Sequence, residues 1–218
     1  VIEQLKAQIN EYVDSVKSDK GVIGSGSRIF NCGTIKNVRI GPGTGINGAS
    51  QLLNGSINSE SDEPVYIGPG VICRDFIVGS GAKISDAVVI TQCYVGQCTE
   101  LAEQFSADNC VFFANCLFKN GEACSFFAGP YTVSHHKATL LIGGMCSFLN
   151  AGSGSNQSNH LYKLGPVHEG ILERGCKTAS ESYLMWPARI GCYTVVIGSH
   201  YSNSDLSSFP YSYLLEQK

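Results

Sequence analysis

Along most of the chain an aliphatic residue returns about every six positions, and a small residue often follows four places after it. The run reads IGSGSR from Ile23, IGPGTG from Ile40, INGASQ from Ile46, VGSGAK from Val78, ISDAVV from Ile84 and VGQCTE from Val95. Neither a 3.6-residue helix nor the two-residue alternation of a hairpin produces that spacing. A triangular coil with one short strand per side does. Each aliphatic residue then points inward, and the small residues Ser27, Thr44, Ser50, Ala82, Val88 and Thr99 fill the inside of the next corner, with glycine supplying the tight turns. Stacked coils satisfy one another's backbone at the usual inter-strand spacing of about 4.8 Å. The pattern predicts an all-β protein, a parallel β-helix over residues 21–200, with about eight coils of roughly 18 residues each.

Departures from the pattern divide the rest of the chain. Residues 58–64 (NSESDEP) are polar and acidic, and read as a loop thrown out of one corner. Around Cys110 the rhythm persists in Cys110 and Cys116, and in Phe112, Phe118 and Cys124, with larger residues that imply stacked layers. Residues 156–178 carry almost no hexad signal and are dense in polar and titratable side chains, so an irregular excursion is expected there. Regular coils resume with WPARIG from Trp186 and CYTVVIG from Cys192, closing near Gly198. In residues 1–20, Ile2, Leu5, Ile9, Tyr12, Val13 and Val16 are spaced for one face of a short amphipathic α-helix, expected to lie against or cap the first coil. The tail, residues 201–218, is rich in aromatics and is expected to pack on the β-helix or on a missing neighbour.

Composition narrows the function classes. The 218 residues are 43% hydrophobic, enough to fill a core. A formal net charge of -3, only 15% charged residues and no run of Lys or Arg give no electrostatic footprint for nucleic acid or an anionic membrane, so neither is expected as a partner. No stretch approaches the roughly 18 apolar residues of a membrane helix. The ten cysteines lie singly, with no CxxC pair and no signal peptide before them, and are expected to be reduced thiols of a cytoplasmic protein. Because the chain begins with Val1 rather than Met, it is expected to be a piece of something longer.

The IGPGTG-type hexads over residues 22–200 resemble the bacterial hexapeptide-repeat transferase superfamily. That resemblance implies a left-handed β-helix, whose hand comes from the family alone, because the general rule for parallel crossovers predicts the opposite. It also implies a homo-oligomer, commonly a trimer, and acyl transfer to sugars, amino acids or antibiotics. The stretch SHHKATLLIGGMCSFLNAGSGSNQSNHLYKLGPVHEGILERGCKTASESYLMWPARIG looks more narrowly like an uncharacterised bacterial hexapeptide-repeat family of unknown function, whose members are much longer.

In the acyltransferase relatives, a histidine at the groove between two subunits acts as general base on the acceptor hydroxyl or amine, and a coenzyme A thioester lies along the same groove. His160 is the first candidate for that role, because it stands between regular coil and excursion with Asn156, Gln157 and Asn159 beside it. His136, 24 residues earlier, and His135 are the next candidates. Asn156, Asn159, Lys163, His168 and Lys137 are expected to contact a small-molecule substrate, a metabolite or sugar nucleotide. Each also has a bland reading. A solenoid histidine is more often a hydrogen-bonded corner residue, Asn156 to His160 also fits a turn ladder, and Glu169, Glu173, Arg174 and Lys177 are close enough to form ion pairs.

The glycine motifs are turn formers, since none continues as GKS or GKT and no GxGxxG opens a helix. Two other classes stand beside the transferase: a non-catalytic β-helix serving as an oligomerisation or regulatory module of a larger, nucleotidyltransferase-like protein, and a zinc hydratase of the carbonic-anhydrase type. The last needs paired histidines as in HxxxxH, which the chain lacks, so no metal residues are assigned. Cys32, Cys73, Cys93, Cys98, Cys110 and Cys116 are read as core or corner fillers.

Overall fold

Inward-pointing residues recur along the chain as Ile40, Ile46, Leu52 and Ile57, then Ile67, Cys73, Val78, Ile84, Ile90, Val95 and Leu101, and every one is buried. The spacing is six, six and five. A computed structural model, which describes residues 1–158 and 169–216, explains the short side: it crosses a corner at which Asn37, Asn54, Asp75, Gln92 and Asn109 adopt left-handed backbone angles, with φ between 51° and 57°. That conformation turns the chain within one residue, and Asn and Asp tolerate it better than other side-chain-bearing residues.

The architecture is a parallel β-helix. Arg28 pairs with Gly45, Thr34 with Gln51 and Ile72 with Val89, each a step of 17 residues. Because a coil is nearer 17 than 18 residues, and because coiling continues to the C-terminal end, there are about 10 turns rather than eight. Two sides share strands that run through the left-handed corner, such as Gln51–Asn58, Ile72–Gly79 and Val89–Val95. The third side is a separate ladder that starts Arg28–Phe30, Gly45–Asn47, Tyr66–Ile67 and Lys83–Ile84. Across the expected loop at residues 58–64 the register steps by 21, from Gln51 to Ile72, so the extra residues leave at one corner without disturbing the ladder.

Inside the corners, Thr44, Ala82, Val88 and Thr99 are buried as expected, and the Thr44 hydroxyl donates to the Gly41 carbonyl at 2.7 Å. Ser50 is exposed instead, and Ala49 takes the inner place. All ten cysteines are free thiols; Cys73, Cys93, Cys110 and Cys116 are core residues, whereas Cys98 is exposed. Phe105, Phe112 and Phe118 form the expected larger layer, with ring centroids 4.7–5.8 Å apart.

The two ends differ from expectation. The helix α1, Ile2–Val16, forms, yet Ile2, Leu5, Ile9, Tyr12 and Val13 are all exposed, and among the described residues nothing covers Ile23 of the first coil, which is exposed as well. At the other end the chain does not stop coiling at Gly198. Asp205–Leu206 pairs with Arg189–Ile190, and Tyr213–Leu215 pairs with Val195–Ile197, so residues that read as a tail carry further β-helix. The hexad is hidden there because the inward Leu206 and Leu214 stand eight residues apart among Tyr, Ser and Phe residues. No described helix is long and apolar enough to cross a membrane.

Candidate functional site

The regular register breaks at one coil. Met145 pairs with Ile171, a step of 26 residues, and Asn156 pairs with Tyr183, a step of 27, where neighbouring coils step by 16 to 18. Much of the stretch expected to be irregular is nonetheless ordinary ladder: Asn156–Ser158, Gly170–Leu172 and Lys177–Thr178 all pair with strands of the coils on either side. The additional residues fall between Ser158 and Glu169. His160, Asn159, Lys163 and His168, four of the expected site residues, lie outside the described residues.

The inserted coil has an unusual interior. Gln157 occupies the inward position between Leu141 and Leu184, is buried, and neither polar atom of its amide has a hydrogen-bond partner among the described residues. Nearby polar groups of the same interior are satisfied. The Ser155 and Thr178 hydroxyls lie 2.7 Å apart, the Gly152 amide donates to Thr178 Oγ1 at 3.1 Å, and the Ser182 hydroxyl donates to the Val196 carbonyl at 3.1 Å. Burying an amide with no partner costs on the order of 1–3 kcal/mol, so Gln157 is an exception that calls for a cause.

Trp186 closes this part of the core. Its ring is fully buried, and its Nε1–H donates to the Ile142 carbonyl at 2.6 Å, satisfying the one polar atom of the indole. The ring fits because Gly170 lies beneath it: a Cβ at Gly170 would come within 2.2 Å of the indole. The ring thus lies inside the prism, against Gly170 and Gly144.

His135, His136 and Lys137 stand in a turn after Val133–Ser134, one coil before Gln157. Adjacent residues on a strand point to opposite sides, but in this turn the two rings meet, with centroids 4.1 Å apart and planes tilted by 52°. His135 is half-buried and its Nδ1 is buried without a partner among the described residues; His136 is exposed. The carbonyl of His136 accepts from the Thr139 hydroxyl at 3.2 Å, and that of Lys137 accepts from the Gly154 amide at 3.2 Å, which fixes the turn. Asn156 faces outward and is half-buried, with interactions of its own.

Charge on the same ridge comes from the coil below. Phe118 pairs with Ser134, so Lys119 precedes His135 in the stack. Lys119 Nζ lies 2.9 Å from Glu100 and 3.6 Å from Glu103, and the hydrogen bond it donates to Glu100 raises its pKa, holding it as a cation. The expected ion pairs among Glu169, Glu173, Arg174 and Lys177 form differently. Glu173 pairs with Arg189 at 3.1 Å and accepts from the Cys192 thiol at 3.1 Å, while Arg174 lies over the Phe148 ring at 5.2 Å.

Among the described residues no group of three or more His, Cys, Asp or Glu side chains gathers to hold a metal ion. The buried thiols are poor ligands and nucleophiles, since burial pushes Cys116 and Cys176 up to about 11 and Cys146 up to about 12. A groove of about 510 Å³ borders the inserted coil, lined by Val111, Phe127, Met145, Glu169, Gly170 and Ile171. Its apolar floor belongs to a longer outward row, Ile77, Tyr94, Val111, Phe127, Met145 and Ile171, stacked in register over successive coils.

Trp186 and Gly170 carry no site role in the sequence reading, and Gln157 enters it only as one of the amides beside His160. A signal for Gln157 was available, because it stands six residues after the buried Ala151 and so takes the inward place of the hexad.

Fold and site together define a class: a parallel β-helix with one enlarged, polar coil. The chain belongs to the family described as Domain of unknown function (DUF4954), whose profile matches residues 1–218. An uncharacterized protein of Treponema pallidum (strain Nichols) is 25% identical over 215 residues, covering 97% of this chain and 29% of that protein. The chain thus spans less than a third of the length of this relative.

Proposed function

We propose that this chain is the β-helix part of a group-transfer enzyme that moves an acyl group from a coenzyme A thioester to a small metabolite or sugar nucleotide. The observation that carries the reading is where the unpartnered atoms fall. Among the described residues, the buried side-chain polar atoms without a partner are His135 Nδ1 and the two amide atoms of Gln157, on the coil that bears the insertion and the coil before it. Fold stability alone favours pairing such atoms or removing them, whereas a ligand site keeps them.

In this reading a histidine of the region, His160 or the His135–His136 pair, takes the proton from the acceptor hydroxyl or amine as its oxygen or nitrogen attacks the thioester carbonyl. The acyl carbon then forms its new bond, and the coenzyme A thiolate leaves. Asn156, Asn159, Lys163, His168 and Lys137 are the residues proposed to meet the acceptor or donor. The single, unpaired cysteines add a cytoplasmic setting, and the superfamily resemblance adds a homo-oligomer, a trimer, with the groove between copies as the place for the donor.

His160→Ala and His135→Ala test it. Loss of acyl transfer by about 10²–10⁴-fold in at least one of them, with oligomer mass and melting temperature unchanged, is the expected outcome. Unchanged turnover in both sinks the base assignment.

A second reading, a non-catalytic module for assembly, is favoured by the outward apolar row from Ile77 to Ile171, of which Ile77, Tyr94, Phe127 and Met145 are exposed, more than scattered surface apolar residues require. A thermal-shift series with coenzyme A, sugar nucleotides and a zinc salt separates the classes, because a ligand that binds only the folded chain raises its melting temperature.

A further inference from the structure

Of the ten cysteines, Cys93 and Cys110 stand opposite each other on neighbouring coils. Tyr94 pairs with Val111, and the Tyr94 amide donates to the Cys110 carbonyl at 3.0 Å, which sets the residues before them side by side. Both side chains take the same course. Cys93 Sγ lies 3.1 Å from the Thr91 carbonyl and Cys110 Sγ 3.2 Å from the Asp108 carbonyl, each two residues back. The thiols therefore stack rather than splay, and a hydrogen bond joins them. Neighbouring parallel strands run about 4.8 Å apart, inside the range of about 4.4–6.8 Å that a disulfide tolerates between Cα atoms.

Filling the core does not account for this pair. In the same column the coil before carries Phe76 and the coil after carries Phe126, so the place is not too small for a ring. The cover over the thiols is also thin. Gln92 and Asn109, the corner residues just before them, and Tyr94 and Val111, just after, line a groove of about 580 Å³ whose wall includes both cysteines. Cys93 is 4% exposed and Cys110 1%, which shuts out bulky reagents and leaves a water-sized one within a residue of its target.

Cys93 departs from the other buried thiols. The bond from Cys110 holds its pKa below the ordinary thiol value, while that same bond and burial push Cys110 up. The two thiols thus divide the work of a redox couple: one supplies the nucleophilic sulfur, and the other keeps its proton until the second step.

From the register, the shared orientation and the groove, we propose that Cys93 and Cys110 form a redox-active dithiol that a peroxide closes to a disulfide. The Cys93 sulfur attacks one oxygen of hydrogen peroxide, the O–O bond breaks, and the other oxygen leaves as water with the Cys93 proton, giving a sulfenic acid. The Cys110 sulfur then attacks the sulfenic sulfur, the S–O bond breaks, and the hydroxyl leaves as water with the Cys110 proton. Two thiols are oxidised and one peroxide is reduced to two waters. The new bond ties two coils beneath the outward apolar row, and a dithiol reductant reopens it. The couple stands whether or not the β-helix is catalytic.

The test treats the whole folded chain with a small excess of hydrogen peroxide, blocks the remaining thiols with iodoacetamide on denaturation, and cleaves after glutamate. Glu100 and Glu103 lie between the two cysteines, so their fragments separate unless they are joined. The expected result is a linked pair of fragments, lighter by a pair of hydrogens, that dithiothreitol releases and that mass-spectrometric sequencing assigns to Cys93 and Cys110. The link is expected to vanish in Cys93→Ser and in Cys110→Ser and to persist in Cys98→Ser, which removes an exposed thiol on the same pair of coils. No link in the wild-type chain, or a link that joins other cysteines and is lost in Cys98→Ser, overturns the proposal.

Discussion

The coils between Ile40 and Leu101 and the inserted coil around Gln157 are built on one frame and filled in opposite ways. In the first region each inward position is aliphatic or a thiol, and corner hydroxyls such as that of Thr44 bond to the nearest carbonyl. In the second, the interior holds Ser155, Gln157, Thr178 and Ser182 around a single large indole, and one of these polar side chains is left without a partner. A parallel β-helix tolerates this because each coil leans mainly on its two neighbours. Stability concentrated in one stretch therefore permits an ill-satisfied coil in another.

The first way to break this contrast is to damage the well-filled region. Ile84→Ala removes a fully buried side chain between layers that have no room to collapse, and is expected to lower the unfolding free energy by about 2–5 kcal/mol in urea titration. An effect below 1 kcal/mol would mean that the regular coils do not carry the stability.

Gly170→Ala probes the junction. Its Cβ meets the Trp186 ring at 2.2 Å, and overpacking of this kind costs about 1–3 kcal/mol. In a double-mutant cycle with Trp186→Leu the penalty is expected to shrink, since the clash is with that ring; strict additivity would show that it is not.

The smallest effect is expected at Glu173. The Cys192 thiol and then Arg189 hold its carboxyl below the usual range. A depressed folded pKa gives stability that is present above the ordinary carboxylate range and lost as pH falls through the folded value. Because the pair lies at the surface, Glu173→Gln is expected to cost less than about 0.5 kcal/mol at pH 7 and nothing in strong acid.

What was legible in the sequence follows the same division. Where one aliphatic residue returns every six positions, the hexad alone locates the core from Ile40 to Leu101. The five-residue side escaped notice because a left-handed angle at Asn54 or Gln92 is a backbone choice, and an Asn in that place also reads as an ordinary turn. The final coils escaped because Leu206 and Leu214 sit among Tyr and Ser residues that resemble a tail. The helix α1 was legible as a helix, but the exposure of its apolar face was not, since a stripe of apolar residues does not say whether it covers the first coil. Of the candidate site, the enlarged coil was legible as a loss of rhythm. The turn that brings His135 against His136 was not, because strand alternation forbids the contact and only the turn allows it.

The central claim is that Gln157 is kept in the core for something other than the fold. The direct test is the unfolding free energy of Gln157→Leu in the whole chain. With two unpartnered polar atoms replaced by an apolar side chain of similar volume, stability is expected to stay within about 1 kcal/mol of the wild type or to rise. A loss beyond about 2 kcal/mol, of the size a core deletion produces, would contradict the account by making Gln157 a structural residue.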